Sequence, residues 1–276
     1  MRVLDEDFVL ANGVRAPKIG LGTWQIPEGP VAYDAVLFAL RHGYRHVDTA
    51  RAYGNEASVG RAVRDCGIAR DRVFVTSKLP AEIKSHDGAL ASFDQTMAAL
   101  GLESLDLYLV HAPWPWHEKG ADHRPQNRDV WRAMEKIYRS GRCRAVGVSN
   151  FNVSDLMNVL EICEVAPMVN QIRMFVGHPQ DEVVAFCRRE NILVEAYSPF
   201  ATGGLLGDER LAAVARKYGA TVPRICVRYL LQKEALPLPK STHPEFIAEN
   251  ADVDFAIDAE DMKRLDGPTS TGRAGR

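Results

Sequence analysis

An aspartate, a tyrosine, a lysine and a histidine stand at or just past the ends of three consecutive apolar runs. They are Asp48 and Tyr53 in GYRHVDTARAYGNE (43–56), Lys78 in VFVTSK (73–78) and His111 in LDLYLVH (105–111). The four side chains suit one chemistry. A phenol, with a pKa of about 10, is a poor acid at neutral pH. A neighbouring ammonium favours the phenolate and lowers that pKa. A carboxylate can hold the ammonium charged and in place. An imidazole can orient a carbonyl while the phenol gives its oxygen a proton and hydride arrives at carbon. No side chain supplies hydride, so the chemistry requires a redox cofactor. Taken singly, each residue has an ordinary reading as an ion-pair partner, a satisfied histidine or a packed tyrosine. Their joint placement selects the chemical one.

The elements that must position them follow a rhythm. Eight short apolar runs are centred on IGLGT (19–23), RHVDT (45–49), VFVTSK (73–78), LDLYLVH (105–111), RAVGVSN (144–150), MVNQI (168–172), LVEAYS (193–198) and LPLPKS (236–241). Amphipathic helical patterns alternate with them at 31–43, 56–67, 91–101, 129–141, 153–163, 182–191, 211–219 and 222–234, several ending in Gly. Eight alternating units predict an α/β fold, a single (β/α)8 TIM barrel over residues 1–276, rather than an open doubly wound sheet. In FVLANGVRAPKIG, Asn12-Gly13 between two extended runs predicts an N-terminal β-hairpin that plugs the lower mouth. The small polar stretch from Thr269 to Arg276 is expected to be loose. Barrels place function at the C-terminal ends of their strands. Beyond the first four groups, those ends deliver Ser149-Asn150, Asn170-Gln171, Tyr197-Ser198 and Lys240-Ser241-Thr242.

Composition excludes several classes. With 34 basic and 36 acidic residues the net charge is −2, which offers nothing to nucleic acid or an anionic membrane. No apolar run reaches the roughly 20 residues that span a bilayer, and MRVLDEDFVL lacks a signal core. Five scattered cysteines without CxxC spacing oppose a disulfide framework or zinc site and fit a reducing, cytoplasmic setting. No metal is expected: His42 and His46 are separated by Gly43 and a turn, and His117 and His123 lack HxH spacing. A Schiff-base lyase using Lys78 and a cofactor-binding barrel without turnover remain as rival readings. A Rossmann reading has little support, because Gly20-Leu21-Gly22 lacks the third glycine and TGGLLG (202–207) opens no clear helix.

These motifs, in this order and over nearly the whole chain, resemble the aldo-keto reductases. The match comprises GYRHVDTARAYGNE, TSKL (76–79), LDLYLVH, GVSNF (147–151), VNQI (169–172), EAYSP (195–199) and PKS (239–241). The resemblance implies NAD(P)H-dependent reduction of small-molecule aldehydes or ketones, with Asp48, Tyr53, Lys78 and His111 as the catalytic four. It implies NADPH extended across the barrel mouth, with Ser149, Asn150 and Gln171 on the carboxamide and the nicotinamide on Tyr197. Ser198, Pro199 and Phe200 would touch the pyrophosphate. Lys240, Ser241, Thr242, Phe246, Glu249 and Asn250 would hold the adenosine end, and Thr23 would be a further cofactor contact. A monomer is expected.

Three departures from the family pattern matter. Ala112-Pro113-Trp114 stands where an aromatic and a proline usually follow the histidine, which opens the wall at Ala112 for Trp114 or Trp116 to refill. NQIRMFVGHPQ carries Arg173 and Phe175 where many members read NQIE before HP. Phe246 occupies the place of an arginine in NADPH-preferring members. Arginine there could pair bidentately with a 2′-phosphate. Its loss, with Lys240 and His243 remaining, predicts weakened NADPH selectivity, towards dual use or NADH preference. Only ten residues follow Asp266, as in the short prokaryotic type that includes diketogluconate and methylglyoxal-type reductases. The pocket is therefore expected to be open, with Trp24 and Trp114 as its walls.

Overall fold

Asn12 and Gly13 lie in the loop between β1 (Asp7–Val9) and β2 (Arg15–Pro17), which pair antiparallel with Phe8 opposite Ala16. This computed structural model describes residues 2–267. The hairpin seals the floor of a barrel. Leu10 and Ala16 share a buried apolar cluster with Phe74, Leu107, Leu109, Ala145, Met168, Val169, Leu236 and Leu238 from five different strands. The Asn12 amide donates to the Arg144 carbonyl at 2.9 Å, fixing the hairpin tip.

The barrel strands are β3 (Leu21–Gly22), β4 (His46–Asp48), β5 (Phe74–Leu79), β6 (Leu105–Val110), β7 (Cys143–Ser149), β8 (Val169–Arg173), β9 (Leu193–Tyr197) and β10 (Leu236–Leu238). They lie in chain order, each parallel to the next. Each expected apolar run supplies one strand. Closure comes from backbone bonds between the ends of the sheet, Gly20 N–H to Pro237 C=O at 3.2 Å and Gly22 N–H to Pro239 C=O at 3.0 Å. Strands β5 and β6 are buried at every residue, as a parallel sheet covered on both faces requires.

Helices α1 (Pro30–His42), α2 (Glu56–Asp65), α3 (His86–Leu100), α4 (Arg124–Arg139), α5 (Val153–Leu160), α6 (Asp181–Arg189), α7 (Glu209–Lys217) and α8 (Val222–Gln232) surround the sheet. Gly43 ends α1 with φ +116°, its N–H reaching the Ala39 and Leu40 carbonyls, and so turns the chain into β4. Two helices begin earlier than their apolar periodicity suggests. Helix α3 starts at His86 because the Ser85 side chain caps the Gly88 N–H. Helix α4 starts at Arg124, with Pro125 in its first turn. Two short helices, α9 (Pro244–Ala251) and α10 (Ala259–Asp266), follow β10 and lie outside the eight amphipathic patterns. The stretch from Thr269 to Arg276 lies outside the described residues.

Candidate active site

Asp48 is the last residue of β4, and the chain beyond it makes one 3-10 turn, Arg51–Tyr53, stopped by Gly54 at φ +71°. That turn carries Tyr53 over the barrel mouth. Asn55 fixes it. Its amide donates to the carbonyls of Thr23 and Ile26, both at 2.9 Å, and its oxygen accepts from the Thr49 hydroxyl at 2.7 Å. The loop bearing Trp24 is thus tied to the loop bearing Tyr53. In sequence Asn55 looks like an ordinary helix cap, yet it makes no side-chain cap to α2.

Lys78, on β5, is wholly buried. Its ammonium donates to both Asp48 oxygens at 2.7 and 2.8 Å, to the Thr49 carbonyl at 2.8 Å and to the Tyr53 hydroxyl at 3.3 Å. Burial alone would push this lysine towards neutrality, but Asp48 and Tyr53 together outweigh it and hold its pKa above the ordinary value. A charged ammonium whose three N–H groups are taken up by these oxygens is a poor Schiff-base nucleophile. For Tyr53 the balance differs from expectation. Burial raises the phenol pKa by more than the Lys78 ammonium lowers it, so the net direction is up. The sequence shows the lysine but not the desolvation. Tyr53 is consequently a neutral phenol throughout the physiological range.

His111 follows β6. Its ring meets Tyr53 edge-on with centroids 5.7 Å apart. Burial, and then the Lys78 charge, push it down to about 3, so the imidazole is neutral. Its Nδ1 is buried without a partner. Placing the proton on Nε2 leaves a lone pair rather than an N–H unsatisfied, and turns a donor towards any ligand.

The next strand ends interlock. Ser149 Oγ donates to the Gln171 carbonyl at 2.8 Å, Asn150 Nδ2 to the His111 carbonyl at 2.9 Å, and Tyr197 Oη to Asn150 Oδ1 at 2.7 Å. Gln171 Nε2 donates to Asp48 Oδ2 and to Glu195 Oε2, both at 2.8 Å. Residues 18–268 match the Aldo/keto reductase family. The chain is 38% identical over 273 residues to the glyoxal reductase of Bacillus subtilis, spanning 99% of this chain and 96% of that one. The chain belongs to the aldo/keto reductase family. Its activity is accordingly the NAD(P)H-dependent reduction of carbonyl groups. An aldo-keto reductase from a Medee basin deep-sea metagenome superposes with a TM-score of 0.90 at 38% identity, covering 98% of this chain and 97% of that one. The Bombyx mori aldo-keto reductase in complex with NADP gives 0.85 at 30% identity, with coverages of 95% and 92%.

The residues of this aldo/keto reductase that could take the dinucleotide fall into two groups. At the ends of β7 and β9, Asn150 and Ser198 adopt left-handed backbone conformations, with φ of +63° and +53°. Such strain in non-glycine residues clusters at ligand sites. Ala201, Thr202 and Gly203 continue the positive-φ run beyond Pro199 and Phe200, in tight turns whose Ala201 and Gly203 N–H groups bond the Ser198 and Phe200 carbonyls at 2.9 and 3.0 Å. Farther out, Lys240 is exposed beside the start of α9, whose first residue follows His243, and His243 makes no side-chain cap. Pro244 has no N–H and the Phe246 and Ile247 N–H groups bond the His243 carbonyl, so the Lys240 ammonium, aided by the positive end of the α9 dipole, is the group here that favours phosphate. The donor set therefore fits NADP(H). Phe246 is 51% exposed and packs edge-on against His243 at 5.6 Å. Ser241 Oγ accepts from the His243 N–H at 3.1 Å; Thr242 and Glu249 are half-buried and Asn250 is buried.

Two expected contacts are placed differently. Thr23 has no exposed surface, and its hydroxyl donates to the Asp48 carbonyl at 3.0 Å, so it fixes β4 rather than presenting a group to the mouth. Of the aromatic walls, Trp24 is 47% exposed. Trp114 stacks edge-on with Trp116 at 5.2 Å, but it is Trp116 that touches His111, at 5.4 Å. That loop is clamped from below. Lys84 Nζ donates to the Ala112 carbonyl at 2.7 Å and to Asn127 Oδ1 at 3.2 Å, and Asn127 Nδ2 donates to the Pro113 carbonyl at 2.8 Å. Neither Lys84 nor Asn127 stands out in sequence, because their partners are backbone atoms of another loop.

Proposed function

We propose that Tyr53 is the proton donor of the carbonyl reduction, with Lys78, Asp48 and His111 as its electrostatic and orienting partners. The observation that carries this reading is the 3.3 Å bond from the Lys78 ammonium to the Tyr53 hydroxyl, held by the two Asp48 contacts. The substrate oxygen enters between Tyr53 and His111, and His111 Nε2–H orients it. As negative charge builds on that oxygen, the phenol proton moves to it, and the resulting phenolate is stabilised by Lys78. Asp48 keeps the ammonium charged inside the barrel. When bound, NADPH supplies the hydride to the carbonyl carbon. A neutral phenol at physiological pH favours reduction over alcohol oxidation, which would need the phenolate.

Ser149, Asn150 and Gln171 would hold the carboxamide and Tyr197 the nicotinamide ring; Ser198, Pro199 and Phe200 would meet the pyrophosphate. Lys240, Ser241, Thr242, Phe246, Glu249 and Asn250 would surround the adenosine end. Phe246 removes a guanidinium from the 2′-phosphate region, so NADH serves alongside NADPH. Trp24, Trp114 and Trp116 wall an open pocket, and the glyoxal reductase relative makes small reactive aldehydes the first substrates to assay. We assign one barrel domain acting as a monomer in the cytoplasm, without nucleic-acid partners. The five free cysteines and the net charge of −2 support that setting. Among the described residues no helix is long and apolar enough to cross a membrane.

Tyr53→Phe tests the central assignment. It removes one hydrogen bond, worth about 1 kcal/mol of stability, and should lower kcat by about two to four orders of magnitude while cofactor still quenches protein fluorescence. A kcat within tenfold of wild type would remove Tyr53 from this role.

A further inference from the structure

Glu195 is a charged residue type on an inward position of β9, with no exposed surface. It lies in register with Gln171 on β8 and Leu236 on β10. Its Oε2 accepts from Gln171 Nε2 at 2.8 Å, and the same nitrogen donates to Asp48 Oδ2 at 2.8 Å. Glu195 Oε1 is buried with no partner. A continuous polar chain therefore runs from Glu195 through Gln171, Asp48 and Lys78 to the Tyr53 hydroxyl.

We propose that Glu195 is a positioning residue for the reduction: as a neutral carboxyl it holds the Gln171 amide against Asp48, and on losing its proton it weakens the proton donor. The proposal rests on the assignment of Tyr53 as that donor. Asp48 on β4 opposes the ionisation of Glu195, Lys78 on β5 favours it, β8 brings only the Gln171 amide, and β10 brings apolar Leu236 alongside. Burial, and then Asp48, raise the carboxyl to about 8. Below that value the barrel interior holds one carboxylate for one ammonium. Above it a second carboxylate competes for the Gln171 amide and shares the Lys78 charge. The Tyr53 phenolate is then less stabilised, and proton transfer to the carbonyl slows. An anionic Glu195 also favours the oxidised, positively charged nicotinamide over the reduced one.

E195Q separates these effects, because glutamine keeps an acceptor for Gln171 and cannot ionise. Wild type should lose kcat as pH rises through about 8, and its Kd for NADP+ should tighten relative to that for NADPH over the same range. Both changes should vanish in E195Q. Tyr53 cannot produce that limb, since its pKa is raised above the ordinary phenol value. Lys84 titrates at about 8 as well, so Lys84→Met should keep the limb. Infrared difference spectra of the wild-type protein give an independent reading: a protonated-carboxyl band should disappear between about pH 7 and about pH 9. An unchanged alkaline limb and unchanged Kd ratio in E195Q overturn the proposal, as does the absence of that band. If E195Q behaves as wild type while Tyr53→Phe is inactive, Glu195 alone is refuted.

Discussion

Asp48→Asn preserves shape and removes one charge from the most buried part of the site. Lys78 has no exposed surface, and two of its four short contacts go to the Asp48 oxygens, at 2.7 and 2.8 Å. Asparagine keeps one acceptor but turns a second donor towards both the ammonium and Gln171 Nε2. Breaking a buried pair from one side costs about 3–5 kcal/mol, because the remaining charge is uncompensated. At about 2–4 °C per kcal/mol for a chain of this size, Tm should fall by about 10 °C. The deficit should depend on pH with a definite sign. In wild type the Lys78 pKa is raised, so the ammonium stabilises the fold up to its unfolded value of 10.5 and that contribution fades only as pH rises further. In the variant burial dominates and the folded pKa drops. The folded state then loses stability relative to the unfolded chain as pH falls below 10.5, and the gap to wild type narrows as pH approaches that value. Thermal unfolding of both proteins from neutral to alkaline pH measures this, and reductase activity should fall by at least about a hundredfold. Lys78→Met in the Asp48→Asn background should restore much of the lost stability by removing the orphan charge. A variant as stable as wild type at neutral pH, or a double variant less stable than the single one, refutes the reasoning.

Two further substitutions probe the edges of the site. Phe246→Arg should raise the ratio of kcat/KM for NADPH over NADH by about tenfold or more, the worth of a charge-assisted bond to phosphate; a strong NADPH preference unchanged by the substitution would show that Phe246 does not set selectivity. Lys84→Met removes the bond to the Ala112 carbonyl, at the root of the loop carrying Trp114 and Trp116, and the bond to Asn127 Oδ1 that supports it. It should raise KM for the carbonyl by about tenfold and leave the cofactor Kd unchanged; an unchanged KM would mean that the clamp does not shape the pocket.

The barrel was legible in sequence because each strand is a short apolar run whose polar end residue marks the functional rim. Asp48, Lys78 and His111 could be aligned across three neighbouring strands by that rule alone. Other parts of the site carry no such mark. Asn55, Lys84 and Asn127 act on backbone atoms of distant loops, and a carbonyl acceptor has no sequence signature. Glu195 did leave a sign: in LVEAY it shares a strand face with Leu193 and Tyr197, an inward position where a charge is expensive. The Tyr53 pKa, expected to fall beside an ammonium, rises instead because burial of the phenol outweighs the Lys78 charge, and that burial is not written in the residue types.

Polarity changes along the barrel axis, and that gradient explains why the chemistry sits where it does. At the floor, Leu10 and Ala16 of the hairpin meet Phe74, Leu107, Met168 and Leu236 in a dry cluster. Towards the mouth the barrel strands turn inward Asp48, Lys78, Gln171 and Glu195, all buried. Burying ions is tolerable only if each is paired and hydrogen-bonded. Here the pairing is complete for Asp48 and Lys78, and Glu195 avoids the cost by remaining protonated. Beside these paired groups, Glu195 Oε1 and His111 Nδ1 are buried without a partner. Both belong to groups that our assignments set around the proton donor: His111 orients the carbonyl and Glu195 positions Gln171 against Asp48. The group that must give up and regain a proton each turnover is Tyr53, and its hydroxyl makes the longest of the Lys78 contacts, 3.3 Å against 2.7–2.8 Å for the others; the paired ions stay fixed while the proton donor is held least tightly.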